Sequence, residues 1–410
     1  MRISKKIYQA VSGFLLGTCF LLLTSCGGGK PKNGFTFIIP SDVHFSQFYK
    51  GATKEYLKQN LQLDITLIEG DHITFTRLLA AGTQVDLVYA NVLPFEHVKS
   101  GKMKPFDSLI KNDTVYNKME IYERIKQETS LNNNTWCVSM GCSPVVLFYN
   151  KEIFQRSGVP FPDNTWNWDT QFQSSLRLKS RSYIPILLYI GGWHRTTMYI
   201  WQNDAEFYDY VEEKYQFDNK NVIEAFEYQL KFYKNGLVPT QAELESSGDV
   251  FGTGKVAMYP TSSFYILRAL RDKKTASYGI APLPQGKKRA NYLVSANLWL
   301  VEGTKYSEDI WKYIKYLLNE RNQYRFYTST SALSVRKSVN ARILKELETR
   351  YNTVDFSPLT NSIESAKATY FITKGLKVAE YLTQAVDDMT MNDVPAGHAL
   401  RKLNTEINKD

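Results

Sequence analysis

The chain is poor in the residues that carry most metal and nucleophilic chemistry, with 4 cysteines and 5 histidines among 410 residues. His44, His72, His97, His194 and His398 are scattered, and Cys137 and Cys142 are the cysteines beyond the first 26 residues. No zinc spacing results. The G-x-S-x-G elbow, the H-E-x-x-H helix motif and the calcium loop of an EF-hand are absent. Gly252-Thr253-Gly254-Lys255 lacks the spacing of a phosphate loop, and Val256 follows the lysine. Nothing singles out the facing carboxylates of a glycosidase. These absences predict no metal, no cofactor and no enzyme.

A strong charge of one sign is also missing. Of a net charge of +9, three charges are Arg2, Lys5 and Lys6. The densest later clusters, Lys273-Lys274 and Lys287-Lys288-Arg289, lie in turn-like segments without interleaved aromatics. They read as solvated surface, and nucleic acid is not expected as a partner. Cys137 and Cys142 permit a disulfide in an oxidising compartment, or each is a small buried apolar residue.

Long apolar runs are absent except at the start. Arg2, Lys5 and Lys6 precede an apolar stretch over 11–23, too short to span about 30 Å of hydrocarbon with ease. That layout is a secretory signal peptide, residues 1–25. Leu23-Thr24-Ser25-Cys26 resembles a bacterial lipobox, in which the Cys26 thiol accepts a diacylglycerol. Residues 26–33, with Gly27-Gly28-Gly29, then form a lipidated flexible tether. The expectation is an exported protein anchored by lipid to the outer side of the cell membrane, facing the cell surface or the periplasm.

The remaining chain is long enough for two lobes. Phe35-Thr36-Phe37-Ile38-Ile39-Pro40 reads as a strand, followed by a helix over 45–59, a strand over 63–68, a helix over 75–81 and a strand over 85–89. Further strands are predicted over 136–140, 145–149 and 184–190. Helical patterns recur over 222–234, 307–319, 366–388 and 397–408. Alternating strands and helices imply an α/β fold with parallel sheet. Ligands bind beyond the carboxyl ends of such strands, which brings Ser41-Asp42 and Tyr89-Ala90-Asn91 to a candidate site.

Tyr149-Asn150-Lys151-Glu152-Ile153-Phe154-Gln155-Arg156-Ser157-Gly158-Val159-Pro160, followed by Thr165-Trp166, resembles a segment of the family 1 extracellular solute-binding proteins, the group of maltose-binding protein. Three more segments match in order: Phe251-Gly252-Thr253-Gly254-Lys255-Val256-Ala257-Met258, Tyr278-Gly279-Ile280-Ala281-Pro282-Leu283-Pro284 and Leu333-Ser334-Val335-Arg336-Lys337. Two departures stand out: the usual proline near Val138-Ser139-Met140 is missing, and Ser295-Ala296-Asn297 replaces usual glycines.

The resemblance implies a two-lobed type II periplasmic-binding-protein fold, each lobe a mostly parallel sheet flanked by helices, with a cleft between. It implies chain crossings at 142–145, 292–295 and 331–335. One lobe would combine 34–142 with 296–330, the other 146–291 with 335–410. It also implies capture of a carbohydrate by hinge closure, delivery to the permease subunits of an ABC importer, and a monomer.

A sugar presents hydroxyls and apolar faces, so its site needs polar groups and aromatic platforms. The candidates are Trp193 and His194 after Gly191-Gly192, then Tyr259, Ser262 and Phe264, where the resemblance implies a stacking aromatic. Asp42, Asn91, Ser143 and Asn297 face them from the other lobe. Asp, Asn and Ser at these positions also suit helix caps and turns. Arg336 suits either a ligand carboxylate or a structural ion pair. Rival readings are an accessory protein of a membrane sensor and a non-sugar cargo such as a polyamine, peptide or metal chelate.

Overall fold

A computed structural model describes residues 33–180, 182–191, 193–239, 253–271, 278–368, 371–372 and 375–409. The side chains of Pro94, Trp193, His194, Phe371, Ile372, Gly375 and Leu376 are outside that description. The expected signal peptide, the Cys26 anchor and most of the tether also lie outside the described residues.

β1 (Gly34–Ile39) pairs in parallel with β2 (Asp64–Glu69) and with β3 (Leu87–Tyr89). Between β1 and β2 runs α1 (Val43–Gln59). Asp42 starts it, since its Oδ1 accepts from the His44 N–H at 2.9 Å and the Phe45 N–H at 3.3 Å. Such a cap stabilises a helix by about 1 kcal/mol. Phe48, Tyr49, Ala52 and Tyr56 recur at helical spacing and are buried against the sheet. α2 (His72–Ala80) leads to β3.

The strands predicted over 136–140 and 145–149 are one element, β4 (Cys137–Asn150), buried along its whole length. Its partner changes midway. Cys137 to Pro144 pair antiparallel with β8 (Asn291–Val301), whereas Val145 to Tyr149 pair with β6 (Val256–Ser262). Pro144 has no N–H to give to a ladder, and the change of partner falls beside it. β5 (Ile184–Ile186) runs parallel to β6, and β7 (Tyr278–Ala281) pairs antiparallel with β4. The sheet order is therefore β2-β1-β3-β8-β4-β6-β5 with β7 on β4. Two lobes of α/β type result, and β4 changes partner along its length.

The mostly parallel sheets expected are instead mixed. Parallel pairing survives where helices connect strands, but β8 runs antiparallel to β3 and β4, and β4 antiparallel to β6 and β7. A strand that threads both lobes has one direction, while its neighbours belong to units built separately.

The helix predicted over 366–388 begins at Gly375, as α7 (Gly375–Met391), because Ala366–Lys367 forms a short strand on the edge of β8. α3 (Trp193–Gln202), α4 (Ser263–Arg271), α5 (Glu320–Thr330), α6 (Lys337–Arg350) and α8 (Ala396–Lys409) complete the elements used below. The disulfide is ruled out. Cys137 and Cys142 are both free and buried. They lie five residues apart on one extended strand, a separation of about 16 Å, far beyond the roughly 7 Å limit for a bridge. No described helix is long and apolar enough to cross a membrane.

Candidate ligand cleft

A cavity of about 390 Å³ opens where the two lobes meet. One wall carries Pro40, Asp42 and Phe45 from the β1–α1 junction, with Tyr89 and Asn91 from the end of β3. The floor is Gly141 to Ser143 of β4, Val294 to Ala296 of β8, and Ala332. The far wall carries Ser262 and Phe264 from the β6–α4 junction. The cavity thus sits beyond the carboxyl ends of β1, β3 and β6, where α/β topology leaves backbone and cap groups available. A volume of this size suits a small molecule.

Five residues expected from the sequence meet in this cavity: Asp42, Asn91, Ser143, Ser262 and Phe264. The helix cap uses Asp42 Oδ1 and leaves Oδ2 for a ligand. Ser143 is buried in the floor. The Phe264 ring lies 6.2 Å from Phe45 across the cleft, centroid to centroid, and Phe45 lies 6.0 Å from Tyr89. Burial, with the Asp42 charge second, raises the Tyr89 phenol well above its ordinary pKa, so it remains a hydroxyl donor.

Asn297 does not line the cavity. It is fully buried, accepts from Ser139 Oγ at 2.6 Å and donates from Nδ2 to the Asn91 carbonyl at 3.0 Å. It therefore fixes the loop that presents Asn91. The two departures from the family pattern thus touch each other, at a bulge between Ala296 and Asn297. Tyr259 also lies off the cavity lining, and its hydroxyl accepts from Arg195 Nη2 at 3.1 Å. The Arg195 guanidinium stands 4.4 Å from the Tyr189 ring centroid. Trp193 and His194 open α3, but their side chains are outside the described residues.

Arg336 donates to Glu320 Oε1 at 3.1 Å, so it serves an ion pair away from the cavity. Lys287 and Lys288 pair with Glu224 and Asp204 at the surface, and Arg289 donates to the Asn164 carbonyl. Cys142 lines the floor, yet burial pushes its thiol up to about 12, which leaves it protonated and inert. Among the described residues, no group of three or more His, Cys, Asp or Glu is placed to hold a metal ion.

Phe45 and the floor residues Gly141 and Ala296 were not anticipated. Phe45 was readable as the first-turn aromatic after a cap at a strand end. The floor depends on the pairing of β4 with β8, more than 140 residues apart in the chain.

Known proteins with this arrangement are numerous. The sugar-binding protein MalE of Xanthomonas citri superposes with a TM-score of 0.79 at 16% identity, covering 92% of this chain and 97% of that one. The ABC substrate-binding protein of Listeria monocytogenes in complex with cycloalternan gives 0.76 at 15% identity, covering 92% and 98%. In sequence, a Brucella abortus protein described only as a candidate binding protein is 20% identical over 394 residues, 92% of each chain. Residues 40–324 match the model of the bacterial extracellular solute-binding proteins. That match spans more than half of the chain, and with the two lobes and the cleft between them it gives the conclusion that the protein belongs to the bacterial extracellular solute-binding protein family, with a maltose-binding-protein-like fold.

Proposed function

We propose that the protein captures a carbohydrate in the cleft by closing its two lobes, and delivers it unaltered to the permease subunits of an ABC importer. The observation that carries this reading is the lining of the cavity. Phe45, Tyr89 and Phe264 supply ring faces, while Asp42, Asn91, Ser143 and Ser262 supply hydrogen-bonding groups from both lobes. Rings suit the apolar faces of a sugar, and fixed polar groups suit its hydroxyls. Proteins of similar fold include one bound to cycloalternan and one, from Streptomyces glaucescens, studied in complex with acarbose.

In this reading the lobes divide as 34–142 with 296–330 and 146–291 with 335–410, α6 lying at the seam against α5. The change of partner along β4 near Pro144 supports the first crossing. Trp193 and His194, at the start of α3, approach the ligand from the second lobe. Cys26 carries the lipid that holds the protein, a monomer, on the outer face of the membrane.

A thermal-shift screen of the chain from Asn33 onward against mono- and oligosaccharides, uronates, polyamines and amino acids tests the cargo. A ligand that binds the folded state alone raises stability by mass action. Stabilisation by neutral saccharides is expected, and stabilisation confined to polyamines or amino acids overturns the carbohydrate reading. Metabolic labelling with palmitate tests the anchor, and the label must vanish in Cys26→Ala.

A further inference from the structure

Two cavities flank one stretch of backbone. Ala332 lines the cleft, and its neighbour Ser331 lines a second cavity of about 420 Å³. Helix α4 is shared in the same way, with Phe264 in the cleft and Leu267, Leu270 and Arg271 in the second cavity. The opposite wall of the second cavity is made by Tyr324 and Tyr327 of α5 and by Glu346 and Arg350 of α6. α5 in turn packs on α1, with Phe326 and Phe48 ring centroids 5.0 Å apart.

We propose that this second cavity binds a small organic anion with an apolar or aromatic body, and that filling it holds the walls of the cleft together. Guanidinium groups enter from both sides, Arg271 from α4 and Arg350 from α6. The one carboxylate present, Glu346, is already engaged: it accepts from the Tyr324 hydroxyl at 2.6 Å and from Arg342 Nε at 2.9 Å. Among the described residues, no ion pair or hydrogen bond engages Arg350. Guanidinium groups in this setting suit a carboxylate or phosphate, which they bind through paired N–H donors. Burial pushes the Tyr327 phenol up to about 12, so at neutral pH its hydroxyl is a donor as well. Leu267, Leu270 and Leu347 give the apolar surface for the body of the ligand.

The coupling follows from the shared helix. In the arrangement that shapes the second cavity, α4 also brings Phe264 to Phe45 and sets Arg268 Nη2 3.5 Å from His44 Nε2 across the cleft. A ligand held by Arg271 on α4 and by Tyr327 on α5, the helix packed on α1, spans the two lobes and complements the state in which the cleft walls touch. It shifts the population toward that state, and the coupling is reciprocal.

The test needs no sugar, so it stands apart from the identity of the cleft's cargo. Phenyl phosphate is titrated calorimetrically into the chain from Asn33 onward, with inorganic phosphate as the comparison. Saturable binding at one site is expected, at least tenfold tighter for phenyl phosphate, and no binding overturns the site. Arg271→Ala with Arg350→Ala should weaken it more than tenfold, and Arg350→Gln alone, a change at an exposed position, about fivefold. Unchanged affinity in a folded Arg350→Gln and in the double variant overturns the location. Spin labels at the exposed positions Leu61 and Met391, through Leu61→Cys and Met391→Cys, then report the separation of the lobes. Phenyl phosphate should narrow the distance distribution to a single population, and binding without narrowing overturns the coupling.

Discussion

On the β3 side of the cleft, Asn91 is held by a chain of hydrogen bonds that starts from buried residues. Asn297 donates to its carbonyl, Ser139 donates to Asn297, and Trp299 Nε1 donates to the Ala90 carbonyl at 2.8 Å. On the α4 side, Phe264 is only partly buried and leans on Phe45, with the Arg268 guanidinium 5.9 Å from its ring centroid. The first wall is set by bonds within its own lobe, whereas the second meets its partners across the cleft. The two sides of the cleft thus differ in how their groups are held.

The largest effect expected from breaking this contrast is at Asn297. Replacing it with leucine strands the buried Ser139 hydroxyl and takes the donor from the Asn91 carbonyl. The cost should be about 3 kcal/mol in denaturant unfolding, with ligand affinity lost as well. Gly141→Ala comes next, since a Cβ there would stand 2.3 Å from Phe326 Cε1 and 3.1 Å from the Leu333 carbonyl oxygen. About 2 kcal/mol of destabilisation is expected from such overpacking, and an unchanged midpoint would show that the floor yields.

Asp113 extends the polar side of the comparison. Burial acts to raise its pKa, but hydrogen bonds from Lys315, from the Tyr116 N–H and from Trp311 Nε1 outweigh it and hold it below the usual carboxylate range. Because the folded-state value is depressed, its contribution is present above the unfolded pKa and is lost as pH falls through the folded one. Asp113→Asn should therefore cost about 1.5 kcal/mol at pH 7 and progressively less below about pH 4. A difference that persists undiminished at pH 2 would refute the assignment. On the aromatic side, Phe264→Ala should lower stability by under about 1 kcal/mol while weakening saccharide binding about tenfold. The reverse pattern, a large loss of stability with affinity intact, would erase the contrast. Dithiothreitol should leave the unfolding midpoint unchanged, because Cys137 and Cys142 are not bonded.

Much of this was legible in the chain because it is local. Alternation, caps and the ordered motifs sufficed for β1, α1, β2 and β3, and Asp42 and Asn91 followed from their positions at strand ends. The motif reading also brought Phe264 and Ser262 to the cavity. Asn297, expected as a ligand group, is turned to Ser139 and Asn91, since a sequence position beside a crossing does not say which way a side chain faces. A bulge between Ala296 and Asn297 decides that, and a bulge depends on the paired strand. The helix over 366–388 failed at its start for a related reason, because the open edge of β8 competes with local helix preference at Ala366 and Lys367.

By itself the sequence determined the α/β alternation and the polar and aromatic residues at strand ends, all of which are written in contiguous or periodic residues. The tertiary structure decided that β4 is one strand serving two lobes, that Ser139 and Asn297 complete each other, and that α4 borders two cavities at once. Those features come from contacts between segments more than fifty residues apart, and no local pattern encodes a partner at that distance.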